Sequence, residues 1–342
     1  MARSRATIAE IAAQVGVSVP TVSKVLNGRT DVAEATRLRV EAALSENEYR
    51  KPVATRAGGA KATTPRLLDL VFHEGDNLWA QEIISGVERI SGPERVGVVL
   101  SGLGGSHRPP QEWMDDLLAR RPLGVLLVLS EFDERQRHQL HSRSIPFVVI
   151  DTQGKPPADV PTVGSNNWNG GLVATQHLIG LGHRRIGVIM GPADMLCSRA
   201  RVDGFRSAHD EAGIPWDPTL IRWGEFASAS GYEHAQEMLA RPDRPTAIFA
   251  GSDYVAFGIA RAAQEHGLRV PEDLSIVGYD DLPITQWLNP PLTTVNQPLR
   301  EMGALATQML LTLSEGGTPA STRVDLMTEL VVRESTAPPS AV

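Results

Sequence analysis

Residues 7–27, TIAEIAAQVGVSVPTVSKVLN, read as two short helices and the turn between them. Ile8, Ile11, Ala12 and Val15 recur at the spacing that puts them on one face of a 3.6-residue helix. Gly16 breaks the pattern and Ser18 restarts it, because its hydroxyl can accept an otherwise free amide of the next turn. Pro20 falls early in the second helix, where a missing N–H costs little. Val22, Val25 and Leu26 give that helix its own apolar face. Helix, short Gly-containing turn, helix is the outline of a helix-turn-helix. Two packed amphipathic helices with no DNA role share the outline, so the pattern alone leaves both open. A third helix is expected over 33–48, with Leu38, Val40, Ala43 and Leu44 facing inward behind Val32.

Charge separates the head from the rest. The chain of 342 residues carries a formal −7, yet residues 1–62 hold ten Lys/Arg against six Asp/Glu, or +4, leaving −11 on the remainder. A basic head on an acidic body is the asymmetry of a DNA reader joined to another module. A charge of +4 is modest, so tight binding calls for two heads acting together. Residues 50–65, RKPVATRAGGAKATTP, read as a linker: Val53 is their one large apolar side chain and Gly58-Gly59 punctuates them.

From residue 67 the chain alternates strands and helices. LLDLVF (67–72), VGVVLS (96–101), LGVLLVLS (123–130) and IPFVVID (145–151) are short β-branched runs, with helical stretches over 79–90, 111–120 and 134–143. A second series follows: helices over 169–181, 199–212, 229–239 and 254–266 beside strands RRIGVIMG, LIRWGEF, TAIFAG and LSIVGYDD. Such alternation means parallel sheets with crossover helices. Two series in tandem predict two similar lobes with a cleft between them. Ligands of such sheets sit beyond the carboxyl ends of the strands. Asp151 and Asp280 end strands and Arg201 opens a helix in that region. Carboxylates accept hydroxyl protons and a guanidinium offers a planar fork of donors, a set suited to a polyhydroxylated ring.

IAEIAAQVGVSVPTVSKVLNG followed by TRLRVEAALSENEYR closely resembles the headpiece of the lactose-repressor (LacI/GalR) family of bacterial transcription regulators. The body resembles the same family through residues 165–192, SRARVDGFRSAHDEAG (198–213), residues 247–283 and PPLTTVNQP (290–298). The match covers roughly residues 6–336. It implies an all-α helix-turn-helix headpiece on an α/β, two-lobed, periplasmic-binding-protein-like core with parallel sheets. The expected division is 1–49 headpiece, 50–65 hinge, 66–164 plus about 292–325 N-terminal lobe, and 165–291 plus about 326–336 C-terminal lobe.

In the family the start of the second helix and a basic residue one turn on reach base edges. Here these are Val19, Pro20 and Lys24. The first two offer only shape or thymine-methyl contact, whereas Lys24 can donate to guanine as a point charge. Ser18, Thr21, Ser23 and Asn27 suit phosphate contacts, which set register without reading sequence. The resemblance makes 52–57 a hinge helix, with Arg56 and Lys51 along phosphates. Ala57 or Gly58 stands near the place where the family carries the leucine of a minor-groove wedge, so that leucine is missing. The resemblance also assigns Asp151, Arg201 and Asp280 to effector hydrogen bonds, Trp79 and Phe226 to ring stacking, and Ser252 and Gln297 to further contacts. Ser165 stands where some members carry Asp. Trp168 heads the first helix of the second lobe and offers another flat face.

Other constellations carry little. GLGG at 102–105 lacks the spacing of a dinucleotide fingerprint, and His73 with Glu74 lacks a third metal ligand. The single cysteine, Cys197, excludes a disulfide framework within a chain. No nucleophile, base and acid assemble, so no enzyme, cofactor or metal is expected. The N-terminus lacks the apolar run of a secretory signal and no stretch spans a membrane, which predicts a cytoplasmic protein. STAPPSAV after Glu334 is no heptad tail, which predicts a homodimer rather than a tetramer. The expected function is a repressor on near-palindromic operator DNA, released by a sugar or oligosaccharide, with a nucleoside as fallback. A corepressor- or protein-partner-dependent regulator, and a cytoplasmic sugar-binding protein without a DNA role, are the alternatives.

Overall fold

The computed structural model describes residues 6–27, 29, 32–47, 49, 66–152, 154 and 156–340. The chain forms two compact units. The first holds residues 1–150, 157–162 and 303–323, and the second 151–156, 163–302 and 324–342.

The first unit opens with three helices, α1 (Ile8–Val15), α2 (Val19–Leu26) and α3 (Glu34–Glu46). A reciprocal capping box starts α1: Thr7 Oγ1 accepts from Glu10 N, and the Glu10 carboxylate accepts from Thr7 N at 2.7 Å. Gly16 ends α1 at φ +71°, a left-handed conformation that a side chain resists. Ser18 caps α2 by accepting from Thr21 N at 3.3 Å. Replacing Ser18 by Ala is expected to cost about 1 kcal/mol of headpiece stability, read as earlier loss of helical signal on heating.

The three helices bury Ile11, Val15, Val22, Val25, Leu26, Val40, Ala43 and Leu44 in one core. Leu38 departs from expectation and is 42% exposed. It lies two residues before Val40, about 200° around the helix, and so on the opposite side.

The first unit continues through β1 (Leu67–Phe72), α4 (Leu78–Ser91), β2 (Gly97–Gly102), α5 (Gln111–Arg120), β3 (Val125–Val128), α6 (Glu134–Ser142) and β4 (Phe147–Ile150). Then come β5 (Thr162–Ser165), α7 (Asn167–Gly180), β6 (Ile186–Met190), α8 (Leu196–Ala212), β7 (Ile221–Trp223) and α9 (Ser228–Leu239). The chain closes with β8 (Ala247–Ala250), α10 (Asp253–Glu265), β9 (Ser275–Asp280), β10 (Thr293–Asn296), α11 (Leu299–Ser314), β11 (Arg323–Leu326) and β12 (Glu329–Val331). The sheets run β11-β5-β4-β3-β1-β2 and β12-β10-β9-β8-β6-β7. In the second sheet β10, β9, β8, β6 and β7 pair in parallel, and β12 adds an antiparallel edge.

The chain's return to the first unit falls later than the expected 292. β10 pairs with β9 from Thr293 to Asn296, so it stays in the second sheet, and the crossing comes at 302/303 inside α11.

Side-chain alternation along the second sheet decides which face each residue serves. Ala247, Phe249, Val277 and Tyr279 pack with Val202 and Phe205 of α8. Ile248, Ala250 and Ile276 pack on the other face with Ala235 and Ile259 of α9 and α10. The helix pairs cross at glycines. A Cβ on Gly171 (α7) would lie 2.0 Å from the Arg201 carbonyl oxygen, and one on Gly204 (α8) 2.1 Å from that of Trp168. Backbone therefore meets backbone at this crossing.

Candidate DNA-reading surface and effector site

The candidate reading helix α2 and its N-cap present Ser18, Val19, Pro20 and Lys24 to solvent, with Thr21, Ser23 and Asn27 half-buried. The four uncharged polar candidates are partly committed to one another: Ser18 Oγ lies 2.8 Å from Thr21 Oγ1, and Asn27 Nδ2 donates to Ser23 Oγ at 3.3 Å. Arg56, Lys51 and the expected hinge helix lie outside the described residues.

The second unit gathers most of the expected effector residues around one guanidinium. Arg201 is 3% exposed. It sits in the second turn of α8, which begins at Leu196, and so does not open the helix as expected. Its Nε donates to Asn167 Oδ1 at 2.8 Å and its Nη1 to the Gly251 carbonyl at 2.6 Å. Its Cζ stands 3.5 Å from the Tyr279 ring centroid and 5.5 Å from that of Phe226. Tyr279 faces α8 because it shares the strand face of Val277, and its hydroxyl donates to the same Asn167 oxygen at 3.3 Å. Asn167 and Tyr279 thus hold the arginine flat. Neither was singled out from the sequence, although both lie in quoted family phrases. Burial opposes the charge on Arg201. The acidic groups around it, Tyr279, Cys197, Asp280 and Asp151, outweigh that and raise its pKa.

Asp151 follows β4 and Asp280 ends β9, both at positive φ, +52° and +106°. Such a backbone conformation is uncommon for a side-chain-bearing residue and clusters at functional sites. Gln297 Nε2 donates to Asp151 Oδ2 at 3.1 Å and to Ser165 Oγ at 2.9 Å. Burial pushes both carboxyls above the ordinary range, against the pull of Arg201. Ser252 is 3% exposed and caps α10 through Val255 N at 3.2 Å, so its oxygen already has a structural partner. Phe226 lies beyond β7, which ends at Trp223; a Cβ on Gly191 would strike its ring at 2.4 Å. Trp168 is the second residue of α7 and 42% exposed. Trp79 is half-buried on α4 of the first unit.

A third buried carboxyl, Asp253, adjoins the cluster. It accepts from Leu282 N at 2.7 Å and Thr294 Oγ1 at 2.6 Å. Burial pushes its pKa up to about 7. Between the ordinary carboxyl range and pH 7 the folded chain therefore keeps a proton that the unfolded chain has released. Raising the pH through this window favours unfolding. The expected result is a melting temperature that falls from pH 5 to 7.5 more steeply in the parent than in an Asp253→Asn variant.

Among the described residues no group of three or more metal-type side chains assembles. His73 instead stacks on His107, with ring centroids 3.8 Å apart and planes 2° from parallel. Burial pushes the Cys197 thiol up to about 11, which leaves it a poor nucleophile. No described helix is long and apolar enough to cross a membrane.

Comparison with known proteins agrees with this layout. Residues 7–52 match the model of bacterial regulatory proteins of the lacI family, and residues 175–336 that of a periplasmic binding protein-like domain. The chain is 34% identical over 307 residues to the HTH-type transcriptional repressor PurR of Vibrio atlanticus (strain LGP32), covering 90% of this chain and 91% of that protein. It is 34% identical over 334 residues to the repressor of the same name from an Escherichia coli strain (ATCC 8739), covering 97% of each. Among solved structures, the transcriptional regulator CelR–cellobiose complex superposes with a TM-score of 0.72 at 34% identity, over 97% of this chain and 100% of that one. The lac repressor dimer bound to operator and the anti-inducer ONPF gives 0.69 at 27% identity, over 98% and 100%.

Proposed function

The chain belongs to the LacI/GalR family of DNA-binding, effector-regulated transcriptional repressors, and from that premise we propose that a sugar, most simply a short oligosaccharide, is its effector and releases it from operator DNA. The observation that carries the sugar reading is the cluster in the second unit. One guanidinium, clamped by Asn167 and Gly251, stands among the carboxyls of Asp151 and Asp280, with the face of Phe226 beside it. Hydroxyl groups pair with the charged groups, and the ring packs against C–H faces. The similar CelR structure was solved with cellobiose, and another similar regulator, from Enterococcus faecium, with ribose. Ser18, Val19, Pro20, Thr21, Ser23, Lys24 and Asn27 are proposed as the operator-contacting residues. The molecule works as a homodimer on a near-palindromic operator, without cofactor or catalysis, in the cytoplasm. Support for a dimer comes from Leu78 and Leu100, which are 41% and 55% exposed on α4 and the edge strand β2.

Thermal-shift measurements with cellobiose, glucose, ribose and purine nucleosides, followed by gel shifts on operator fragments, test the reading. A ligand that binds only the folded form raises the melting temperature. A sugar that raises it and releases DNA supports the proposal. A nucleoside as sole binder, or a sugar that tightens operator binding, overturns the sugar or the release half respectively.

A further inference from the structure

The DNA-reading headpiece is seated directly on the lobe that follows it in the first unit. The seat is polar and runs along α3. Arg37 Nη1 pairs with Asp115 of α5 at 3.5 Å. Glu41 accepts from Gln139 Nε2 at 3.1 Å and lies 3.7 Å from Arg135 and 3.8 Å from Arg143. Ser45 Oγ lies 2.7 Å from His138 Nδ1. These headpiece residues are spaced by four, so they form one stripe facing α5 and α6.

Arg143 is the centre of the seat, with a side chain only 5% exposed. Its Nη1 donates to the Gln139 carbonyl at 2.9 Å, in the last turn of its own helix α6. Its Nη2 donates to the Val25 carbonyl at 2.5 Å, in the last turn of the reading helix α2. One cation therefore joins the carboxyl ends of two helices, where unpaired carbonyls and the helix dipole concentrate negative charge. Inside the headpiece, Arg39 treats α1 in the same way by donating to the Val15 carbonyl. The end of α2 takes its arginine from the lobe instead. Burial pulls the Arg143 pKa down to about 10, and Glu41 opposes that pull, so the group stays charged at neutral pH.

The seat does not bury the reading face: Ser18, Val19, Pro20 and Lys24 remain exposed. A lock that hid the reading helix would cover them. We propose that the α3–α5/α6 seat, centred on Arg143, Glu41 and Arg37–Asp115, is a positioning interface that holds the headpiece in an operator-competent orientation. It gives the lobe a grip on α2 that does not pass through residues 50–65. The Arg143–Glu41 pair is the buried one, with side chains 5% and 11% exposed; a buried pair contributes little net stability, but displacing one partner leaves an unpaired buried charge, which resists a change of register. An oriented headpiece loses less freedom on binding DNA, so the seat raises operator affinity.

The test uses the full-length protein and a duplex selected from random sequence by that protein. Arg143→Ala and Asp115→Arg are expected to speed hydrogen exchange in 34–46 and 134–142. Both are expected to weaken duplex binding about tenfold, while a sugar-induced thermal shift is unchanged. The charge swap Arg37→Asp with Asp115→Arg restores both readouts. It also keeps the test valid where Arg143→Ala disturbs α6. Unchanged exchange and affinity in both single variants overturn the proposal. So does tighter DNA binding on release of the headpiece, and so does a swap that rescues neither readout.

Discussion

Arg201→Ala is expected to abolish effector-induced release while leaving operator binding in the absence of effector intact. The arginine supplies the charged donor at the centre of the proposed effector site, and Asn167 and Gly251 fix its plane. A charged hydrogen bond contributes about 1.5–3 kcal/mol, and a bidentate pair more. Loss of Arg201 should therefore weaken effector about ten- to a hundredfold. The proposed operator-contacting residues lie in the first unit, so the variant is expected to remain bound to DNA at effector concentrations that release the parent. The measurement is a pair of titrations, effector by calorimetry and operator by fluorescence anisotropy. Arg201→Lys keeps the charge but loses the planar fork, and should fall between the two. Parent-like effector binding in Arg201→Ala would remove the cluster from the site.

The other large effect is expected at a residue that touches no ligand. Gly204→Ala should destabilise the second unit by about 1–3 kcal/mol or more, the usual cost of overpacking. Its new methyl group would lie 2.1 Å from the Trp168 carbonyl oxygen and 2.7 Å from Leu172 N. Both are backbone atoms, so no side chain can swing aside, and α7 and α8 must part. The same crossing sets Asn167 of α7 against Arg201 of α8, so effector affinity falls with stability. The pair Gly231 and Gly258 makes the equivalent crossing of α9 and α10, with clashes of 2.2 and 2.0 Å. Gly231→Ala should lower the melting temperature similarly but leave the arginine clamp in place. Calorimetric unfolding of the full chain, with effector titration on each variant, separates the two.

Much of the architecture was legible in the residues. The period of 3.6 in 8–15 and 19–26, broken at Gly16 and restarted at Ser18, specified two helices before any contact was known. These are local signals: caps and turn residues act within a few positions of themselves. The strand–helix alternation likewise followed from short β-branched runs, which have few other ways to be buried. Asp151, Arg201 and Asp280 were reached by strand-end placement and resemblance, and the second unit brings all three near one another.

What the residue pattern left open depends on partners distant along the chain. The third helix was legible as a helix, yet which side Leu38 takes is set by the other two helices. β10 reads from the sequence as the first lobe's, within the expected 292–325; pairing with β9 assigns it to the second sheet. Asn167 carries no local sign that its side chain will clamp an arginine 34 residues on. Arg143 reads as a solvated cation at a helix end, and only the approach of α2, 118 residues earlier, turns it into a bridge between two helix termini. Propensity and periodicity are properties of neighbours in sequence. Burial, charge pairing and the register of packed helices arise between segments that meet only once the chain has closed on itself.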